Sequence, residues 1–398
     1  MAQQEYISNQ PIVIDNGTGL MKAGLAGVER PSCEFRSYVG FQKYDRVVIN
    51  GYAPADNLWI GKDLETRRGL CHLEYPMNHG IVENWNLMEE IWKHIYSKAQ
   101  LGLDSREHPV FLTQAAITPN KQTEKMAEFF FEMLQAPALF VAPQPLLSMY
   151  DSGRGTGVVV DIGEGVTTLF PIYDGFAITP HIRRVDLGGR EMTQYLQLLL
   201  RKSGYIFSSS SELEVVREMK EACSECAIAG MDPAQKQKIV DYVLPDGNVV
   251  KLGEERWQCA EMLFDPQRVG NESLGVAGEL STTVTKCDLE LRKELWGNIL
   301  LSGGVTLTRN FGKRLLDEIK PLAPPNTHLR VLSPPDRAHS AWSGACVLTS
   351  LSPFGDMWVT SQEWEEEGKK IIHKKALLCC VCCRQRSIER VVSAENRD

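Results

Sequence analysis

No run of about 18 consecutive apolar residues occurs in this chain, and its Met-Ala-Gln-Gln-Glu start has neither the basic flank nor the apolar stretch of a signal peptide. A spanning helix and a secretory route are both disfavoured, and a cytosolic protein is expected. Excess positive charge is also missing: 43 Lys plus Arg stand against 51 Asp plus Glu, a net charge of −8. Such a chain has no broad basic face for a phosphate backbone, so nucleic acid is not the expected partner. Neither G-x-x-x-x-G-K-[ST] nor H-E-x-x-H appears, and the G-x-G-x-x-G pattern is only approached at Gly153, Gly155 and Gly157. The eight histidines are dispersed, His72 and His79 being the nearest pair, which leaves no visible His-based zinc site.

Cysteine is not scarce, but no disulfide framework is apparent. Seven of the 11 are scattered between Cys33 and Cys346, and the other four crowd between Cys379 and Cys383. An odd count in a large acidic chain with no secretory start reads as reduced thiols. The 398 residues suffice for two or three domains, and 43% hydrophobic with 24% charged residues is the composition of a folded globular protein.

The feature that stands out is an internal echo. Val13-Ile14-Asp15-Asn16-Gly17-Thr18-Gly19 and Val159-Val160-Asp161-Ile162-Gly163-Glu164-Gly165 share the frame apolar-apolar-Asp-x-Gly-x-Gly. Each is a short β run entering a Gly-rich turn, followed by strand-like residues over Lys22–Ala26 in the first copy and Val166–Ile172 in the second. Glycines let a turn close upon a ligand, where successive N–H groups cradle an anion, and an Asp at the strand end can hold a metal-bound water. One copy alone reads more readily as an ordinary hairpin; two at a domain-sized separation reverse that preference and favour a shared site.

A third element has the same flavour. Asn298-Ile299-Leu300-Leu301-Ser302-Gly303-Gly304 is a buried-strand pattern running into a Gly pair, and Thr308–Ile319 shows helical periodicity through Phe311, Leu315, Leu316 and Ile319. The Ser211–Ala227 stretch, also helical, puts Arg217, Lys220 and Glu221 on one face. Taken alone, that trio reads as a solvated charged face.

The two hairpins with the Gly-Gly turn resemble the superfamily of actins, heat-shock chaperones and sugar kinases. Tyr75-Pro76-Met77-Asn78-His79-Gly80-Ile81-Val82, Leu244-Pro245-Asp246-Gly247, Leu301-Ser302-Gly303-Gly304 and Met357-Trp358-Val359 resemble actin-family segments in actin order, from about Pro11 to Lys375. Within the family, Asn9–Asp15, Ile95–Lys98, Leu200–Tyr205 and Ser208–Val215 resemble the centractin branch, whose members build the short filament of dynactin.

The resemblance implies an α/β, actin-like ATPase fold, with two RNase H-like domains around a nucleotide cleft. Residues 1–149 plus 345–377 would form one domain, 150–344 the second, and 378–398 an atypical Cys-rich and polar tail without structure. It implies ATP or ADP with Mg²⁺ as cofactors. Gly17, Thr18, Gly19 and Lys22 match the first phosphate loop, and Gly163, Glu164, Gly165 and Val166 the second. Gly189, Arg217, Lys220 and Glu221 match the ribose and adenine side; Gly303, Gly304, Val305 and Leu307 match the adenine floor. Asp15 and Asp161 match the carboxylates that hold the metal through water, and with Gln144, which places the attacking water, they are the catalytic candidates.

Departures from the family bear on chemistry. Glu164 stands for an Asp, Thr168 for a histidine near the attacking water, Gln114 for a Glu and Ala338 for an adenine-covering Lys, while Pro143 and Pro145 flank Gln144. They imply retained nucleotide binding with at most slow ATPase activity. Tyr150, Gly153, Val347, Leu348, Leu351 and Met357 match a cleft where a neighbouring protomer inserts, with ordinary core as the other reading, and Phe41–Ile60 matches a loop that docks on a neighbour. For the Cys379–Cys383 tail, an unstructured end outranks S-acylation beside Lys369, Lys370, Lys374 and Lys375, and zinc ranks last because four cysteines in five positions cannot easily surround one tetrahedral ion.

The function implied is that of a protomer in a short filament supporting dynein-driven transport on microtubules, in the cytoplasm and its cytoskeleton, including the centrosome. Its partners would be further copies of the chain, dynactin subunits and dynein, with actin or a capping protein, and any membrane contact would be indirect or through tail acylation. Alternative readings are a treadmilling actin-like ATPase and a nuclear actin-related subunit of chromatin machinery. A kinase of the superfamily is less favoured, since no motif marks a second substrate pocket.

Overall fold

The computed structural model describes residues 9–43, 58–228, 230 and 238–375. Two six-stranded sheets organise it, and both are built on the repeated hairpin. In the first, the strands Ile12–Asn16 and Leu20–Leu25 form an antiparallel hairpin, with Cys33–Arg36 at its outer edge. Ile12–Asn16 then pairs in parallel with Val110–Gln114, which pairs in parallel with Ala138–Pro143; Val359–Thr360 closes the far edge.

The second sheet repeats the scheme. Gly157–Ile162 and Thr167–Tyr173 form the antiparallel hairpin, Gly157–Ile162 runs parallel to Ile299–Ser302, and that strand runs parallel to Val331–Leu332. Phe176–Ala177 and Arg183–Val185 pair with Thr167–Tyr173. The echo in sequence is therefore an echo in architecture, and the register shows where the copies diverge. Asp15 lies opposite Lys22, whereas Asp161, its counterpart, lies opposite Thr168.

The inner strands are apolar on both faces, as parallel strands covered by helices must be. Ile12, Val13, Ile14, Val158, Val159 and Val160 are fully buried. Ile12 and Ile14 share a core with Trp92 and Phe130; Val158 and Val160 share another with Leu301, Phe311 and Leu315. A small sheet of Val39–Gln42, Leu58–Trp59 and Cys71–Glu74 lies apart from the first six-stranded sheet and has its own core around Tyr38, Trp59 and Leu64. The Leu244–Gly247 segment joins a hairpin, Val240–Val243 with Val249–Leu252.

Two helices depart from their expected limits. The Gly-Gly turn passes first into a 3-10 turn, Gly304–Leu307, and the α-helix begins only at Phe311, because Asn310 adopts a left-handed conformation (φ 67°). The other helix runs Ser210–Cys223. Its start is fixed by a capping box in which the Ser209 and Glu212 side chains each bond the other's backbone N–H. It stops early because Ser224 is extended and the next two amides are taken elsewhere, Glu225 N by the Arg256 carbonyl and Cys226 N by the Arg309 carbonyl.

Candidate functional site

The two Gly-rich turns meet. A Cβ on Gly19 would lie 2.7 Å from Glu164 Cβ, and one on Gly165 would lie 2.8 Å from Thr18 Oγ1. Only residues without side chains let the loops pack so closely. Thr18 Oγ1 accepts from Gly80 N at 3.0 Å, and His79 Nδ1 bonds the Gly165 carbonyl at 2.7 Å, so the Met77–Val82 hairpin is tied to both loops. The backbone N–H groups of Thr18, Gly19, Glu164 and Gly165 have no acceptor among the described residues. All four residues line a cavity of about 500 Å³ between the sheets. Free amides on Gly-rich turns are an anion cradle.

Below the loops sits a carboxylate pair. Asp15 accepts from Lys22 Nζ (3.0 Å), Thr113 Oγ1 (2.6 Å) and Gln144 Nε2 (2.8 Å). Burial works to raise its pKa, but the Lys22 charge and these hydrogen bonds outweigh it and hold the carboxyl below its usual range. Asp161 is pushed up to about 6, first by burial; a hydrogen bond from Ser302 and the Lys22 charge oppose that, and Asp15 adds to it. The difference follows from the register: Lys22 faces Asp15, and only Thr168 faces Asp161. Among the described residues no His, Cys, Asp or Glu cluster could chelate an ion directly. Two buried acids on a roomy polar wall suit a divalent cation that keeps its water shell.

Gln144 begins the Gln144–Asp151 helix, where the strand Ala138–Pro143 ends. A proline is accommodated at the start of a helix, so Pro143 and Pro145 set this strand-to-helix corner. Besides Asp15, the Gln144 amide approaches the Asn16 carbonyl (3.3 Å) and Thr113 Oγ1 (3.2 Å). Behind it, Ser148, Ser302 and Ser340 are joined by hydroxyl hydrogen bonds of 2.8–3.2 Å, linking three elements below the cavity.

The far end of the cavity is formed by the Ser210–Cys223 helix and the Gly-Gly turn. Arg217 and Lys220 are each 5% exposed, so the solvated-face reading of this helix fails for them. Lys220 Nζ donates to the Gly189 carbonyl (2.7 Å) and lies 3.6 Å from Glu164 Oε2. The Glu164 carboxylate is thus engaged by Lys220, on the helix side of its loop. Gly303 has φ 85°, and a Cβ there would lie 2.3 Å from the Ile162 carbonyl oxygen and 2.9 Å from Asp161 Oδ1. That glycine is required by both its conformation and its neighbour.

Of the residues singled out from sequence, Asp15, Gly17, Thr18, Gly19, Lys22, Gln144, Asp161, Gly163, Glu164, Gly165, Val166, Lys220, Glu221, Gly303, Gly304, Val305 and Leu307 border this one cavity. Gly189 and Arg217 stand behind it. Gly189 makes room for Glu164, since a Cβ there would lie 2.2 Å from its Oε2, and Arg217 holds Glu221 from the rear at 2.8 Å.

Sequence reasoning missed Asn16, Arg36, Ser302, Arg309 and Arg337, which also line the cavity. Asn16 and Ser302 lie inside the motifs and could have been found; the three arginines carry no motif. Arg337 is fixed by Thr306 Oγ1 (2.9 Å) and the Thr306 and Pro334 carbonyls (2.8 and 2.7 Å), and burial lowers its pKa.

Among the departures, Thr168 is 1% exposed and does not border the cavity. Ala338 does, and its carbonyl accepts from Lys22 Nζ at 2.6 Å, while Gln114 Oε1 accepts from Thr123 Oγ1 at 2.9 Å. Of the apolar cleft residues, Val347 and Leu351 are exposed, Leu348 is buried, and Tyr150 and Met357 pack against the core. Most of the loop expected to dock on a neighbour (44–57) and the whole Cys-rich tail lie outside the described residues.

Comparison with known proteins agrees with this architecture. The family model described as Actin matches residues 7–377. An actin-like protein of Neurospora crassa is 44% identical over 383 residues, covering 93% of this chain and 99% of its own length.

Proposed function

The chain belongs to the actin family, and from that premise we propose that it is an ATP-binding, actin-related protomer of a short, centractin-like filament. The observation that carries the nucleotide reading is the meeting of two Asp-x-Gly-x-Gly turns, with unpartnered amides, over one cavity that also holds Lys22 and the Gly303-Gly304 turn. In this reading residues 1–149 with 345–377 form one domain and 150–344 the other, with the nucleotide between them.

Thr18, Gly19, Glu164 and Gly165 would receive the phosphates through backbone N–H groups, with Lys22 adding positive charge between Asp15 and the ligand. Asp15 and Asp161 would hold Mg²⁺ through its water shell. Gly303, Gly304, Val305 and Leu307 would form the floor under the base, and Lys220 and Glu221 the wall beside it. Bound Mg-nucleotide supplies a terminal phosphoryl group open to attack by water.

What this chain's residues contribute to that attack is limited. The Gln144 amide nitrogen is committed to Asp15, which leaves its carbonyl oxygen to orient a water. Thr168 offers no imidazole and is buried away from the cavity. Loss of a proton-handling group costs about 10²- to 10⁴-fold, so we infer a slow ATPase whose nucleotide is chiefly structural. The centractin-like segments favour a place in a dynactin-type filament serving dynein-driven transport, and hence in the cytoplasmic cytoskeleton.

The test is direct. Purified protein should carry one adenine nucleotide per chain, gain thermal stability with Mg-ATP, and co-purify with dynactin subunits. Folded protein that holds no nucleotide and shows no thermal shift would overturn the binding role; nucleotide-loaded protein that stays monomeric at high concentration, without dynactin subunits, would overturn the filament role.

A further inference from the structure

The Ser210–Cys223 helix reaches across from the second sheet's half to the small sheet of the other half. Arg68 Nη1 donates to Glu218 Oε1 at 2.6 Å, and Tyr75 Oη donates to Glu214 Oε1 at 2.6 Å. None of these four residues borders the cavity.

A third cross-contact differs. Arg36 Nη2 lies 3.4 Å from Glu221 Oε2, and both residues stand on the cavity wall. Their side chains are 23% and 49% exposed, which places the pair at the cavity rim. Of the other ion pairs between described cavity-lining residues, Lys22–Asp15 and Lys220–Glu164, each stays within one half. Arg36–Glu221 is the pair that joins the halves beside the ligand space.

Both ends of the strap are anchored to site elements. Glu221 is held from behind by the buried Arg217, Nη1 to Oε2 at 2.8 Å. Arg36 ends an edge strand, and the next residue is bound to the first loop: Ser37 N donates to the Gly19 carbonyl at 3.2 Å and Ser37 Oγ to the Gly17 carbonyl at 2.6 Å. The strap therefore connects the first anion loop with the helix wall opposite.

We infer that Arg36 is a gating residue: its ion pair with Glu221 straps the cavity rim, and the pair must part each time a nucleotide enters or leaves. This rests on the nucleotide reading of the cavity. A strap raises the barrier in both directions, so its removal speeds entry and release together and leaves affinity nearly unchanged. A residue that gripped the ligand itself would instead change affinity.

The experiment uses the full chain with fluorescent etheno-ATP and Mg²⁺, measuring association by stopped flow and release by a chase with unlabelled ATP. Arg36→Ala and Arg36→Gln should raise both rates about two- to fivefold, the range of an exposed ion pair, with Kd altered less than twofold. Arg36→Lys should stay closer to wild type. Raising the salt to about 1 M should bring wild type toward the variants, because the Debye length falls to about 3 Å. Unchanged rates in both variants, with unfolding temperatures like wild type, overturn the gate. So does a weaker Kd carried by release alone, which makes Arg36 a ligand contact. Wild-type protein that binds no etheno-ATP removes the nucleotide reading and the gate with it, an outcome distinct from normal binding with unchanged exchange.

Discussion

Gln144 Nε2 donates to Asp15 Oδ1 at 2.8 Å, so the residue proposed to orient a water is tethered to a carboxylate proposed to hold the metal's water shell. The same oxygen accepts from Thr113 Oγ1 at 2.6 Å. The Gln144 amide is therefore fixed by the cavity floor, and its freedom to follow an attacking water is small. In single-turnover assays ATP should remain largely intact over the time in which conventional actin filaments hydrolyse theirs. Gln144→Ala should lower the residual rate further while nucleotide still binds. Turnover equal to that of actin and indifferent to Gln144→Ala would sink the slow-ATPase reading.

Lys22 and Asp15 form a buried ion pair at 3.0 Å, their side chains 9% and 4% exposed. Lys22→Ala leaves the carboxylate buried without its cation and should cost about 3–5 kcal/mol of stability. Urea unfolding of nucleotide-free protein measures this. A loss below about 1 kcal/mol would mean that Asp15 is satisfied by Thr113 and Gln144 alone.

Gly303→Ala should be severely destabilising, because the new methyl would need to displace the Ile162 carbonyl at a backbone φ of 85°. Gly304→Ala has no atom within 4 Å of the added carbon and serves as the matched control. Thermal unfolding should separate the two variants clearly; similar melting temperatures would contradict the backbone argument.

His94 is half-buried beside Phe35, bonded to Gln100 Nε2 at 3.0 Å, and its partial burial lowers its pKa against the opposing charge of Asp63. The unfolded chain then takes up a proton near the ordinary histidine value of about 6.5, before the folded chain does. Stability contributed by this site is full above that pH and falls as the pH drops through the interval between the unfolded and folded values. Urea midpoints at pH 7.5 and 5.5 should differ more for wild type than for His94→Gln. Equal differences would remove His94 from the acid sensitivity.

The Actin family model ends at residue 377, and the chain continues for 21 residues to Asp398. In the proposed filament, this tail would extend from the subunit end that another protomer approaches. Deleting residues 378–398 should lengthen the assemblies seen by electron microscopy or raise their number. Identical length distributions with and without the tail would deny it a role in limiting growth.

The repeated Asp-x-Gly-x-Gly frame determined a great deal by itself. It marked both hairpins, both buried carboxylates and the two anion loops, because a local turn needs glycine at fixed offsets and an inner strand needs consecutive apolar residues. The Gly303-Gly304 pair was legible for the same reason. Contacts set by residues far apart in the chain were not. The exposure of a helix face depends on what packs against it, so only tertiary structure turned Arg217 and Lys220 from a solvated face into a buried wall, with Gly189 and Arg217 behind the cavity. Only the sheet registers gave Asp15 a lysine partner and Asp161 a threonine, which sets their pKa values apart. Arg36, Arg309 and Arg337 belong to no local pattern; folding alone carries three such distant arginines to one cavity, and Arg36 to Glu221, 185 positions away.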